Sequence, residues 1–195
     1  MRSDILAAQP QDPTLVAEWL VTARPQGKPH FYQKHMTQHM LRTVPRSWMA
    51  DVVNVFLIRH PARVVASYAA KRQNPTFDDI GFRQQAELFE YARLLGQDPI
   101  VIDSGDIRRD PERMLRLLCR AIGLEFEPGM LHWPAGGKPQ DGVWAAHWYG
   151  AVHRSTGFAE AEGPLPELRG HLADLAEQAL VYFESLASHR LGQRA

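Results

Sequence analysis

The chain has 195 residues, and its 22 lysines and arginines balance its 22 aspartates and glutamates, so the formal net charge is zero. That balance argues against a protein that binds nucleic acid through bulk positive charge. Apolar residues make up 45% and charged residues 23%, as in a soluble globular domain rather than a disordered chain. The length favours one domain over residues 1–195, and a single cysteine excludes an internal disulfide.

No signal-peptide pattern opens the chain, and the longest apolar run, residues 52–58, is too short to span a membrane. We therefore expect a cytoplasmic protein that does not bind membranes. The neutral balance hides a local excess of positive charge. Residues 24–72 hold nine lysines and arginines against one acid, a net charge of +8, and the remainder carries −8. Such a stretch is either a solvated basic face or a site for a small anion with several charges.

The predicted elements alternate between strands and helices along the chain. Apolar, β-branched runs predict strands, including one at 52–58 that is buried on both faces. Helical spacing of apolar residues, with proline in the first turn or glycine after the last, predicts the helices. The buried face of the helix after Asp110 includes Cys119, which we interpret as a core residue. In chain order we predict a short strand at 31–33, strand 52–58, helix 61–72, helix 82–95, strand 100–103, helix 111–122, an irregular aromatic segment at 133–158 and an amphipathic helix at 165–191.

This order predicts an α/β fold with a parallel sheet flanked by helices. In such sheets ligands bind at the carboxyl ends of the strands, where helix N-termini point free N–H groups at anions. Arg59 stands at such a strand end, and Ser67 lies eight residues later, so the pair suits a phosphate dianion. Two alternatives remain open: Ser67 bonds back to the carbonyl of Arg63, and Arg59 pairs with a surface acid.

Four segments in a fixed order resemble the sulfotransferase family over about residues 30–150. The segment FLIRHPARVVASY resembles the family's 3′-phosphate-binding segment, in which a strand ends in arginine, a proline turn follows, and serine comes eight residues after the arginine. YQKHMT resembles the strand-end Lys/His segment that precedes it. VIDSGDIRRDPERMLRLLCRAIGLEF resembles a later strand and helix. GGKPQDGVWAAHWY is similar, more loosely, to a late loop with a basic residue before Gly-x-Trp.

The resemblance implies a P-loop NTPase-like architecture and transfer of a sulfuryl group from 3′-phosphoadenosine 5′-phosphosulfate (PAPS) to a small-molecule hydroxyl or amine. By analogy Arg59 and Ser67 hold the 3′-phosphate, Lys138 reaches it from the late loop, and Gly142 and Trp144 support that loop. No metal is expected, and a homo-oligomer is compatible with the sequence. The aromatic residues 147–149 either line the acceptor pocket or simply pack beneath the loop.

A sulfuryl transfer needs a base for the acceptor's proton and a cation at the transferring group. The resemblance implies His35 as base and Lys34 as cation, with His39 as the rival base. Lys34 and His35 are adjacent here, whereas the family usually has one residue between its lysine and histidine. His35 and His39 also have the spacing of a metal pair on a helix, but no third ligand is evident.

The family's glycine- and serine-rich 5′-phosphosulfate loop has no counterpart in the first thirty residues, which hold one glycine. The resemblance therefore predicts an N-terminally incomplete domain. Three interpretations follow: an active sulfotransferase that begins upstream, a truncated or degenerate member that binds adenosine 3′,5′-bisphosphate or a protein partner without catalysis, and a kinase-like nucleotide-dependent transferase.

Overall fold

A computed structural model of the protein describes residues 4, 7, 10–71, 74–138, 141–143, 145 and 149–193. At its centre lie two parallel strands, β1 (Val55–Ile58) and β2 (Ile100–Asp103). Val55 pairs with Ile100 and Ile58 with Asp103, so both strands end at the same edge of the sheet. The fold class predicted from the sequence, a parallel sheet flanked by helices, is confirmed.

Strand β1 is shorter than the predicted 52–58, and it is buried on one face only. Phe56 and Ile58 point into the core, whereas Val55 and Leu57 are 40% and 56% exposed. The prediction of a strand buried on both faces was therefore wrong. The strand begins late because the Asn54 side chain donates hydrogen bonds to backbone carbonyls of the preceding turn. The backbone carbonyl of Asn54 still accepts a hydrogen bond from the Ile100 N–H at 3.0 Å, so the pairing of the two strands extends one residue before β1.

Helices surround the two strands, and most of them begin at a capping residue. The carboxylate of Asp12 accepts from Thr14 N–H, and that of Asp110 accepts from Arg113 N–H. In the part of the chain that the structure describes, the helices are α1 (Pro13–Thr22), α2 (Pro61–Ala69), α3 (Phe77–Ile80), α4 (Phe82–Leu94), α5 (Ser104–Arg109), α6 (Pro111–Ala121), α7 (Gly150–Arg154) and α8 (His171–Ala187). Short 3₁₀ turns cover Pro25–Gly27, Thr37–His39, Ser47–Asp51 and Pro128–Leu131.

One predicted boundary and one predicted strand differ in the structure. The last helix begins at His171 instead of 165, because Gly170 leaves the helical region with φ +53° and ψ −139°. The 31–33 segment forms no strand in the described part of the chain; its Gln33 side chain donates to the carbonyl of Leu20 at 2.6 Å and so ties the segment to α1. Cys119 is buried, as its assignment to the core requires.

Helix α8 joins two apolar clusters that hold the sheet in place. Its Leu186 packs in a cluster with residues from both strands, α1 and α4. Its Leu175, Ala176 and Ala179 pack with residues from α2, α3 and α4. Because α2 follows the end of β1 directly, this second cluster fixes the direction in which the chain leaves the sheet. Among the described residues, no helix is both long and apolar enough to cross a membrane.

The segment that carries Lys34 and His35 is tied to the helical layer at Gly81. The Thr37 hydroxyl donates to the Gly81 carbonyl at 3.1 Å. Gly81 has φ +72°, and a Cβ atom there would lie 2.6 Å from Thr37 Oγ1. A glycine is required here both by the backbone angle and by this close approach.

Candidate functional site

Three arginines meet at the sheet edge where both strands end. Arg59 follows the last residue of β1, and Arg63 lies in the first turn of α2. Arg108 lies in α5, which begins directly after β2. Parallel strands place the residues that follow them on one edge, so arginines far apart in sequence become neighbours.

All three guanidinium groups contact one carboxylate, that of Glu162. Arg59 Nε lies 3.1 Å from Glu162 Oε1, and its Nη2 bonds the same oxygen. Arg108 Nη1 lies 2.9 Å from Oε1, and Arg63 Nε lies 2.9 Å from Oε2. The Glu162 side chain is only 9% exposed. The arginine cluster, defined here as Arg59, Arg63 and Arg108, therefore binds a carboxylate with both of its oxygens engaged.

Two opposing effects act on the ionisation of Glu162. Burial alone would raise the pKa of its carboxyl group. The hydrogen bond from Arg59, followed by the charges of Arg59, Arg63 and Arg108, outweighs burial and holds the pKa below its usual range. The cluster thus stabilises negative charge at this position, as an anion site must.

The start of α2 contributes no free N–H groups, contrary to the expectation from the sequence. Pro61 has no N–H, and the Ala62 N–H donates to His60 Nδ1 at 3.2 Å. The N–H groups of Arg63 and Val64 both donate to the His60 carbonyl. Burial, and then the charge of Arg63, lower the pKa of His60, while the charge of Asp103 acts in the opposite direction. The net lowering favours the neutral ring, whose Nδ1 can accept the hydrogen bond from Ala62. Recognition of an anion here depends on side chains.

Ser67 and Arg59 can be compared with the alternatives left open above. Ser67 is exposed on α2, and its hydroxyl has no hydrogen-bond partner among the described residues, so it does not bond back to Arg63. Arg59 does pair with an acid, as the second alternative supposes. That acid is the nearly buried Glu162, shared with two further arginines, rather than an isolated surface partner.

The predicted catalytic residues lie on the chain between α1 and the Thr37–His39 turn. The His35 ring packs against Trp48 with 5.1 Å between centroids, and its Nε2 lies 3.1 Å from Gln33 Oε1. The residue is exposed as a whole, but desolvation of its ring lowers the pKa of His35. Lys34 is exposed, and its ammonium lies 5.9 Å from the centre of the Tyr149 ring. His39 is exposed in the turn that follows.

The late loop is organised around Asp141. Its carboxylate accepts from the Lys138 N–H at 2.8 Å and lies 3.0 Å from His153 Nε2. The backbone hydrogen bond from Lys138 is the main cause that lowers the pKa of Asp141. His153 in turn packs edge-on against Tyr149, with 5.9 Å between ring centres. These contacts connect the Lys138 loop to Tyr149, and the Tyr149 ring in turn lies near the Lys34 ammonium.

Other residues of the predicted loop have more limited descriptions. Gly142 accepts a hydrogen bond at its carbonyl from the Ala145 N–H at 2.8 Å, which turns the chain into the following segment. Trp144, His147 and Trp148 lie outside the described residues.

The structure brings together some of the predicted site residues but not all of them. Arg59 and Ser67 share the β1–α2 unit, and Lys34 meets the late loop. In the described part of the chain, no hydrogen bond or ion pair joins Lys138 to the arginine cluster. Contacts to that cluster come from residues 160–163 instead: Arg108 Nε donates to the Glu160 carbonyl at 2.8 Å, and Arg63 donates to the Gly163 carbonyl.

Sequence reasoning missed Arg63, Arg108 and Glu162. A usable signal existed for the two arginines, since each lies within a few residues of a strand's carboxyl end. Glu162 offered no such signal, because it lies in a segment without regular structure. Among the described residues, no group of three or more His, Cys, Asp or Glu side chains is placed to hold a metal ion.

A family model described as "Sulfotransferase domain" matches residues 1–190. Two Arabidopsis thaliana proteins, named branched-chain-amino-acid aminotransferase-like protein 1 and 2, are 36% and 32% identical over 84% and 85% of this chain. The chain spans 29% of the length of each. No solved structure is significantly similar to the chain.

Proposed function

Because the chain belongs to the sulfotransferase domain family, we propose that it binds PAPS and serves transfer of the sulfuryl group to a small-molecule hydroxyl or amine. One observation carries the proposal: three arginines converge on a single anionic position at the carboxyl edge of the sheet. A cytoplasmic location belongs to the same proposal. The sulfuryl-transfer activity of the whole protein is likewise part of this proposal, since the chain spans only 29% of the length of its curated relatives.

The donor set of the arginine cluster fits the 3′-phosphate of PAPS. Guanidinium groups present paired N–H donors in a plane, which match two oxygens of a phosphate. Arg59 already offers its Nε and Nη2 edge to one anion, and Arg63 and Arg108 approach the same anion from other elements. The exposed Ser67 hydroxyl, without a partner in the described residues, is available as a further donor from α2.

Lys34 and His35 are the residues we assign to the transfer. When bound, PAPS supplies an activated sulfuryl group whose leaving group is the bisphosphate nucleotide. The exposed Lys34 ammonium stabilises negative charge that develops on the transferring group. We assign to His35 the removal of the acceptor's proton, because desolvation lowers the pKa of its ring and so favours the neutral form that can accept a proton. If Nε2 carries the ring hydrogen and donates it to Gln33, Nδ1 is the basic atom.

The family assignment favours sulfuryl transfer over kinase-like chemistry. A phosphoryl-transfer enzyme would require carboxylates that hold Mg²⁺. The described residues contain no acidic cluster of that kind, and the acid at this sheet edge is bound by arginines. A binding measurement and a sulfuryl-transfer assay together distinguish an active enzyme from a member that binds the nucleotide without catalysis.

Selectivity for the 3′-phosphate tests the proposed donor site. We expect the protein to bind adenosine 3′,5′-bisphosphate at least about 30-fold more tightly than adenosine 5′-monophosphate, because charge-assisted hydrogen bonds to one phosphate contribute about 2 kcal/mol or more. Isothermal titration calorimetry with both nucleotides at one salt concentration measures the ratio. Equal affinities for the two nucleotides would remove the basis for a 3′-phosphate site.

The base is tested by comparing two histidines in a sulfuryl-transfer assay with PAPS and a panel of hydroxyl and amine acceptors. His35→Ala should lower kcat by about 100-fold, the usual contribution of a general base, while His39→Ala should change it little. In the unmodified protein the rate should rise as pH rises through the His35 pKa, which desolvation lowers from its usual range, and then level off. A larger loss in His39→Ala would transfer the role to His39.

A further inference from the structure

Residues 160–163 occupy the arginine cluster through both side chain and backbone. Glu162 takes the three guanidinium groups with its two carboxylate oxygens. The carbonyls of Glu160 and Gly163 accept further N–H groups from Arg108 and Arg63. These are the hydrogens that the cluster would direct at a phosphate, so the segment and the phosphate draw on one set of donors.

The contact at Arg59 shows which donors Glu162 takes from the cluster. Arg59 gives both Nε and Nη2 to Glu162 Oε1, and these atoms form one of the two guanidinium edges that suit bidentate binding of phosphate. A phosphate cannot use that edge while Glu162 holds it.

Charge favours a phosphate over Glu162 as the partner of this cluster. Three guanidinium groups carry three positive charges, and Glu162 returns one negative charge. A phosphate dianion offers twice that charge and three acceptor oxygens in place of two. Exchange of the glutamate for the phosphate therefore leaves the cluster better neutralised.

The segment has anchors on either side that allow it to move as a loop. Gly157 forms a bridge with His132, and Leu168 packs against the apolar cluster beneath α8. Between them the chain has no helix or strand, and Glu162 and its neighbours are held mainly by the arginine contacts. Loss of those contacts can release residues 160–163 without disturbing either anchor.

Resting on the proposed function, we propose that Glu162 is an internal competitor of the 3′-phosphate. Residues 160–163 close on the arginine cluster, and binding of a nucleotide with a 3′-phosphate displaces them. The apparent affinity for the nucleotide is therefore reduced by the fraction of molecules in which Glu162 holds the cluster.

Calorimetry with a charge-removing variant tests the competition. Glu162→Gln should bind adenosine 3′,5′-bisphosphate about tenfold more tightly than the unmodified protein, and its affinity for adenosine 5′-monophosphate should not change. Glu167→Gln, a matched substitution at an exposed glutamate of the same connecting segment, should leave both affinities unchanged. Weaker or equal binding of the bisphosphate by Glu162→Gln would overturn the competition, and weaker binding would make Glu162 a positioning residue for Arg59.

A second measurement needs no variant. Carbodiimide coupling of glycine ethyl ester to carboxylates, read by mass spectrometry, should modify Glu162 faster in the presence of the bisphosphate, because displacement exposes its side chain. Unchanged or slower labelling overturns the proposal. The two proposals can fail separately: equal affinity of the unmodified protein for the two nucleotides contradicts the 3′-phosphate site itself. A clear preference for the bisphosphate, with no gain in Glu162→Gln, contradicts the competition alone.

Discussion

Replacing Arg59 with alanine should weaken binding of adenosine 3′,5′-bisphosphate by roughly 100-fold, equivalent to about 3 kcal/mol. Arg59 stands at the end of β1 and offers two N–H groups along one edge to a single anion. Removal deletes two charge-assisted hydrogen bonds together, and the remaining Arg63 and Arg108 cannot replace that edge. Calorimetry gives the loss directly. Binding of adenosine 5′-monophosphate should change far less.

Two companion variants separate geometry from charge. Arg59→Lys keeps the charge but loses the planar pair of donors, so it should recover only part of the affinity. Arg93→Ala removes an exposed arginine of α4 whose partner is Glu90, one turn earlier, and it should leave binding within about twofold. If Arg59→Ala and Arg93→Ala have the same small effect, Arg59 does not bind the nucleotide.

Replacing Ile58 with alanine should lower the free energy of unfolding by about 3 kcal/mol. Ile58 is 1% exposed and packs in the cluster that joins β1 to β2, α4 and α8. The substitution removes apolar contacts and leaves a cavity where the surrounding helices cannot close completely. Urea unfolding followed by circular dichroism measures the difference, with an unchanged m-value indicating the same transition.

The adjacent residue provides the matched control on the same strand. Leu57 is 56% exposed, so Leu57→Ala should change the free energy of unfolding by no more than about 0.5 kcal/mol. Losses of similar size at both positions would mean that both faces of β1 are covered in solution. That result would restore the two-sided burial that the apolar run 52–58 suggests.

The degree to which the fold follows from local pattern differs between elements. Strand β2 could be predicted to the residue, because a short β-branched run is followed by an aspartate that caps the next helix. The start of α8 could not, because the apolar spacing continues upstream of Gly170 and only the backbone angles at that glycine show where the helix begins. Burial of β1 also escaped prediction: an apolar run reads the same whether one face or two are covered.

The site divides in a similar way. Arg59 could be identified because the end of a parallel strand is a position with a known chemical use. The grouping of Arg59 with Arg108 depends on the pairing of β1 and β2, which no local pattern encodes. Glu162 depends on the course of an irregular segment, where neither period nor capping residues restrict the chain. Its contacts arise from tertiary structure alone.

The water-facing side of β1 has a consequence for handling the protein in concentrated solution. Val55 and Leu57 are 40% and 56% exposed on one face of β1, and Val53, two residues before the strand, is 64% exposed, so apolar side chains alternate with buried or polar ones here. The Gln85 side chain donates to the Leu57 carbonyl at 2.9 Å and so blocks one backbone acceptor against another strand. That single cap leaves these apolar side chains uncovered among the described residues. Association between molecules in concentrated solution should therefore begin at this apolar face, and a lysine in place of Val55 should improve colloidal stability.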